Sequence, residues 1–173
     1  MCISRFLATA GFLVSQLASA ADTPALGEPV QSAEIVRWDI SIPPSGEGLP
    51  NGGGTARQGA PIYQAKCQSC HGEKGTGELA DTLAGGIGTL KSSAPVRTVG
   101  SYWPYATTLF DYVRRAMPLA NPLSLTADEV YAVSAYVLYL NGIIGPDVAM
   151  NAQTLPRVKM PNREGFISDW PPR

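Results

Sequence analysis

Residues 67 to 71 read Cys-Gln-Ser-Cys-His, and no other stretch of the chain concentrates comparable chemistry. Two thiols separated by two residues reach both vinyl groups on one edge of a porphyrin and can add to them as thioethers. A histidine directly after the second thiol then falls beneath the ring, where its imidazole can bind iron. Gly72 follows, a residue without a side chain where backbone crowds a flat cofactor. A thioredoxin-type dithiol needs no histidine at this point and opens a helix after a buried strand, a pattern absent here. A zinc site wants four ligands, yet His71 is the chain's one histidine. The motif therefore predicts one covalently attached haem c, held by Cys67 and Cys70 with His71 as proximal ligand.

An iron that only exchanges electrons needs a sixth ligand. With no second histidine, methionine is the usual remaining choice, and its thioether raises the reduction potential. Beyond the N-terminal segment, the methionines are Met117, Met150 and Met160. Met117 sits before Pro118, far enough past His71 for the intervening loop to wrap over the ring, and is the expected ligand. Met160 is next, and core filling remains open for each of them. Tyr102, Trp103 and Tyr105 cluster between motif and methionine, either walling the cofactor and bonding its propionates or serving as core. Arg114 and Arg115 either form a solvated helix end or supply charge to propionates and a docking face.

These residues must be positioned by helices. Ala56 to Lys66 reads as the first, with Pro61 tolerable if its first turn starts near Gly59. Residues 72 to 100 are glycine-rich and lack periodicity, so they read as loop. Thr107 to Met117 carries Leu109, Phe110 and Val113 at helical spacing, and Pro118 ends it. Thr126-Ala127-Asp128-Glu129 has the form of a capping box. Val130, Val133, Val137 and Leu140 continue it at helical spacing to a stop at Gly142.

The ends differ in character. Phe6 to Ala18 is an apolar run, and Ala18-Ser19-Ala20 offers the small-x-small pattern of signal peptidase, which predicts cleavage after Ala20 and export to the periplasm. The run is short for a membrane anchor, and none is expected. The mature chain then has twelve basic residues against fourteen acidic ones, with no basic stretch to suggest nucleic acid. Its two cysteines give no disulfide framework. Residues 21–55 and 145–173 are dense in proline and glycine and read as extended arms. The first arm carries Ile35, Val36, Trp38, Ile40 and Ile42, which a free tail would rarely expose, and part of each arm is expected to pack on the domain or on a partner. The expected organisation is a signal peptide over 1–20, an N-terminal arm over 21–55, a haem domain over 56–144 and a C-terminal arm over 145–173.

The central region resembles class I c-type cytochromes, which implies an all-α fold whose first and last helices cross. On that resemblance, Gly59 and Tyr63 on the first helix meet Tyr136 on the last. The stretch from Thr98-Val99-Gly100-Ser101-Tyr102-Trp103-Pro104-Tyr105 through Arg114-Arg115-Ala116-Met117-Pro118 to Leu138-Tyr139-Leu140-Asn141-Gly142 is similar to one particular group. These are the cytochrome subunits that accompany bacterial molybdenum sulfite dehydrogenases and the related sulfane dehydrogenase. The tail Val158-Lys159-Met160-Pro161-Asn162-Arg163-Glu164-Gly165-Phe166 shares that likeness. The resemblance implies a molybdenum-containing dehydrogenase subunit as electron donor and a downstream cytochrome or oxidase as acceptor. The sulfane-type cytochrome usually carries two haem motifs and this chain has one, which leans toward a sulfite-type partner or a free-standing relative. An electron-transfer protein rather than an enzyme is expected; the alternatives are a gas-binding or peroxidase-like haem protein, or a shuttle for an unrelated dehydrogenase.

Overall fold

The computed structural model describes residues 27–167, 169 and 170; the expected signal peptide lies outside them. Two compact units are present, Met1–Trp38 and Asp39–Arg173. In the first, helix α1 spans Ser32–Trp38, where an extended arm is expected. The prolines at 29 and 43 leave this stretch free of helix breakers, and Glu34 in its first turn suits the positive end of the helix dipole. Trp38 and Val36 are 79% and 70% exposed.

The second unit is helical. Helix α2 (Ala56–Lys66) opens on a capping box in which the Thr55 hydroxyl accepts from the Gln58 amide and Gln58 accepts from the Thr55 amide. Pro61 lies inside α2 rather than in its first turn. Helix α3 (Gln68–His71) follows after one residue, then a long loop holding a 3₁₀ turn at Thr89–Lys91. Helix α4 (Val99–Tyr102) precedes α5 (Ala106–Ala116), which stops at Met117, before Pro118. Helix α6 (Ala127–Leu140) begins at the expected Thr126–Glu129 capping box, and Gly142 adopts φ 68° beyond its end. That left-handed value is what a helix stop requires and what glycine permits without strain.

Helices α2 and α6 cross at Gly59. A Cβ there would lie 1.9 Å from the Ala132 carbonyl oxygen, so only glycine allows the backbones to approach this closely. Tyr63 and Tyr136 meet at the crossing with ring centroids 5.2 Å apart. Phe110 on α5 packs against Tyr131 on α6 at 4.4 Å, and both side chains are fully buried.

The arms beside these helices are structural. Gly53–Gly54 (β1) pairs antiparallel with Met150–Asn151 (β2). Gly53 donates to Asp128 Oδ1 at 2.8 Å and Tyr131 Oη to the Pro50 carbonyl at 2.9 Å, which binds the N-terminal side to α6. Ile42 is buried, and its amide donates to Asp111 Oδ1 at 3.0 Å. On the other side, Met150, Leu155, Val158 and Met160 are buried in the core. Part of the C-terminal arm is thus packed into the core, where its apolar residues cover surface that the helices leave open. Among the described residues no helix is long and apolar enough to cross a membrane.

Candidate haem site

Beside the α2–α6 crossing lies a cavity of about 360 Å³. Cys67, Cys70 and His71 line it, together with Trp103, Leu109 and Val113 from the α4–α5 region, Met117 from the end of α5, and Val133 and Val137 from α6. Cys67, Cys70, His71, Trp103 and Met117, all singled out in the sequence, therefore share one cavity, whereas Tyr102 does not line it. Tyr105 does not line it; its ring instead lies under the Arg163 guanidinium, 4.5 Å from the centroid. Met150 and Met160 are buried elsewhere and do not reach the cavity either.

Local structure presents the motif residues in a defined way. Cys67 follows directly on α2, and its carbonyl accepts from the amides of Cys70 and His71 at 3.1 and 3.0 Å, so the short turn of α3 brings thiol, thiol and imidazole to one wall. Both thiols are free. Burial pushes Cys67 up to about 11, so its neutral form prevails at neutral pH. Among the described residues there is no cluster of three or more His, Cys, Asp or Glu side chains that could hold a metal ion.

His71 is oriented by the loop. Its Nδ1 stands 2.9 Å from the Asp81 carbonyl oxygen. A carbonyl can only accept, so Nδ1 carries the proton and Nε2 keeps its lone pair for a ligand. The loop is itself folded back by the Ala80 amide donating to the Cys70 carbonyl at 2.8 Å and the Gly77 amide to the His71 carbonyl at 2.9 Å. Gly72 is needed for this return: it adopts φ 77°, and a Cβ would meet Gly77 and Thr76 at 2.9 Å.

Tyr63 joins the helix crossing to the cavity wall, and its hydroxyl donates to the Gly72 carbonyl at 2.9 Å. Burial raises this phenol to about 12, so it stays protonated. Trp103 stands edge-on to Tyr112, centroids 5.8 Å apart. The expected cations are placed otherwise: Arg115 pairs with Asp111, and Arg114 Nη1 donates to the Ile40 carbonyl at 3.4 Å. The cations that do line the cavity are Lys66 and Arg97. Neither stands out in the sequence, since nothing in their spacing relates them to the motif.

The donor set and walls fit a haem. Two thiols on one side, an imidazole with a free nitrogen, a thioether and an apolar lining are what a covalently held porphyrin with two axial ligands requires.

Comparison with known proteins agrees with this geometry. The family described as Cytochrome C oxidase, cbb3-type, subunit III matches residues 54–137. Among solved structures, the chain is similar to the sulfane dehydrogenase SoxCD from Paracoccus pantotrophus, with 39% identity and a TM-score of 0.79 over 85% of this chain and 73% of that one. No curated protein gives a significant match.

Proposed function

This chain belongs to the cytochrome c family, with its fold and electron-transfer role, and from that premise we propose that it is an exported monohaem carrier of single electrons. Cys67 and Cys70 would hold one haem c through thioethers, and His71 and Met117 would bind its iron. The observation that carries this reading is that Met117 lines the same cavity as the whole motif, while Met150 and Met160 do not. When bound, the haem would supply an iron that takes up and gives off one electron while His71 and Met117 both hold it. A methionine at the cavity favours this closed arrangement over the open position that a gas-binding or peroxidase-like protein needs.

The chain's own residues then have separable tasks. The Asp81 carbonyl holds the imidazole proton at Nδ1 and so keeps Nε2 basic. Trp103, Leu109, Val113, Val133 and Val137 give the cavity an apolar wall that excludes water. Leu119 lines the cavity and is 78% exposed, which leaves an apolar edge for electron exchange with another protein.

On this reading residues 1–20 are a cleaved signal peptide and the mature protein works in the periplasm. The likeness to a sulfane dehydrogenase structure supports a donor that oxidises a sulfur compound, namely a molybdenum-containing dehydrogenase subunit, with a downstream cytochrome or oxidase as acceptor. The single CxxCH favours a sulfite-type donor. The test is a visible spectrum of the oxidised holoprotein before and after sulfite, with and without the host's periplasmic molybdenum-enzyme fraction. Reduction only when sulfite and that fraction are both present is expected. A protein that dithionite reduces but sulfite plus the fraction does not would remove this donor and leave the cytochrome.

A further inference from the structure

Two cations line the cavity, and they are not equivalent. Lys66 is committed to Glu129, Nζ to Oε1 at 3.1 Å. Arg97 is in none of the ion pairs among the described residues; its guanidinium instead lies over the Tyr102 ring, 5.4 Å from the centroid. An exposed arginine without such a support would sample many rotamers, so the ring selects where its charge stands. Tyr102 is in turn held by the C-terminal segment. Phe166 packs edge-on against its ring with centroids 5.2 Å apart, and Asn162 Nδ2 donates to its carbonyl at 2.7 Å. Arg163 adds the stacking contact on Tyr105, so three tail residues touch one four-residue stretch.

We infer that Arg97 is the cation that neutralises the cofactor's carboxylates, and that the tail residues Asn162 and Phe166 are positioning residues that aim it through Tyr102. The inference rests on the haem reading above and adds to it a structural control of reduction potential from outside the cavity. The sign follows from charge. The ferric state carries one more positive charge than the ferrous state, so a fixed cation beside uncompensated carboxylates disfavours the ferric state. Removing or releasing Arg97 lowers the potential.

The experiment is a redox titration of the full-length, haem-loaded protein and of Arg97→Gln, Arg97→Lys, Phe166→Ala, Asn162→Ala and Arg97→Gln/Phe166→Ala. A second readout is the ring-current shift of the Arg97 side-chain protons by nuclear magnetic resonance. Expected results are a lowered midpoint for Arg97→Gln, partial recovery in Arg97→Lys, and a smaller drop in Phe166→Ala and Asn162→Ala accompanied by loss of the ring-current shift. The double variant should lie no lower than Arg97→Gln alone. Phe166 is 52% exposed, so its replacement leaves the core intact. If Phe166→Ala melts at a lower temperature yet keeps the wild-type midpoint, or if its effect adds fully to that of Arg97→Gln, the positioning role is wrong while the haem reading stands. A purified chain with no haemochrome spectrum would overturn both.

Discussion

Gly59→Ala tests the helix crossing on which the site is built. Intrinsic propensity says this change should help, because alanine is better than glycine in a helix interior by about 0.8–1.0 kcal/mol. Tertiary geometry says the reverse. The new Cβ would stand 1.9 Å from the Ala132 carbonyl oxygen, 2.5 Å from its carbon and 3.0 Å from the Tyr136 Cβ. Ordinary contact begins near 3.4 Å, so α2 and α6 must part by roughly 1.5 Å along that line, and the nearest neighbour, Ala132, presents helix backbone that cannot yield locally. Overpacking of this kind costs about 1–3 kcal/mol. Separating Tyr63 from Tyr136 removes an aromatic contact worth about 0.5–1.5 kcal/mol. Set against the propensity gain, the expected net loss is about 0.5–3.7 kcal/mol, at its upper end a large share of a typical total stability of about 5–15 kcal/mol. The assay is denaturant unfolding of the holoprotein followed by circular dichroism, with the visible spectrum recorded alongside. A variant as stable as wild type, or more stable, would refute the close crossing, because helix propensity alone gives that result.

Met117→Ala should lower the reduction potential and open the iron to carbon monoxide, read by redox titration and by the visible spectrum; an unchanged spectrum and potential would remove Met117 as a ligand. Glu129 is held below the ordinary glutamate value first by the Thr126 amide and then by Lys66. Its ionised form therefore stabilises the fold above about pH 4.5, the unfolded value, and that contribution disappears as pH falls through the lowered folded value. Glu129→Gln, which can still accept from Thr126, should cost about 0.5–1.5 kcal/mol at pH 7, with the gap to wild type closing below pH 4.5 in pH-dependent denaturation. Leu155→Ala should cost about 2–5 kcal/mol, because the side chain is fully buried. Chemical denaturation showing a loss below 0.5 kcal/mol would mean that the C-terminal segment is a detachable arm after all.

What could be read in the sequence was local or periodic. The Thr126–Glu129 box and the apolar spacing of Val130, Val133 and Val137 lie within a few residues of each other, so α6 is legible from Thr126 to Gly142 without knowledge of its neighbours. The chemistry of Cys67, Cys70 and His71 is likewise written in five consecutive positions. Gly54 shows the opposite case. Its Cβ would fall 2.6 Å from that of Ala132, a constraint set by a residue 78 positions away, and a two-residue ladder leaves no alternation to detect. Proline density marked 145–173 as an extended arm, but prolines only restrict φ and could not say which residues, such as Leu155 or Met160, are covered. Arg97 was missed for the same reason: an isolated cation between Val96 and Thr98 acquires meaning only when folding sets it at the cavity. Tyr105, chosen for its place in an aromatic cluster, turned out to face the tail instead.

The β1–β2 ladder has a kinetic and mechanical consequence. Gly53 and Gly54 meet Asn151 and Met150, so the clasp closes a loop of almost a hundred residues that contains the CxxCH motif, Met117 and helices α2 to α6. Closing a loop that long is entropically unfavourable until the helices have docked, which places the clasp among the last contacts to form. Once closed, it leaves the helical unit no loose end to peel away, since a pull on either flank is borne across α6 rather than by one terminal residue. Slow amide exchange at Gly54, matching that of the α6 interior, is the mark such a ring-closed unit should carry.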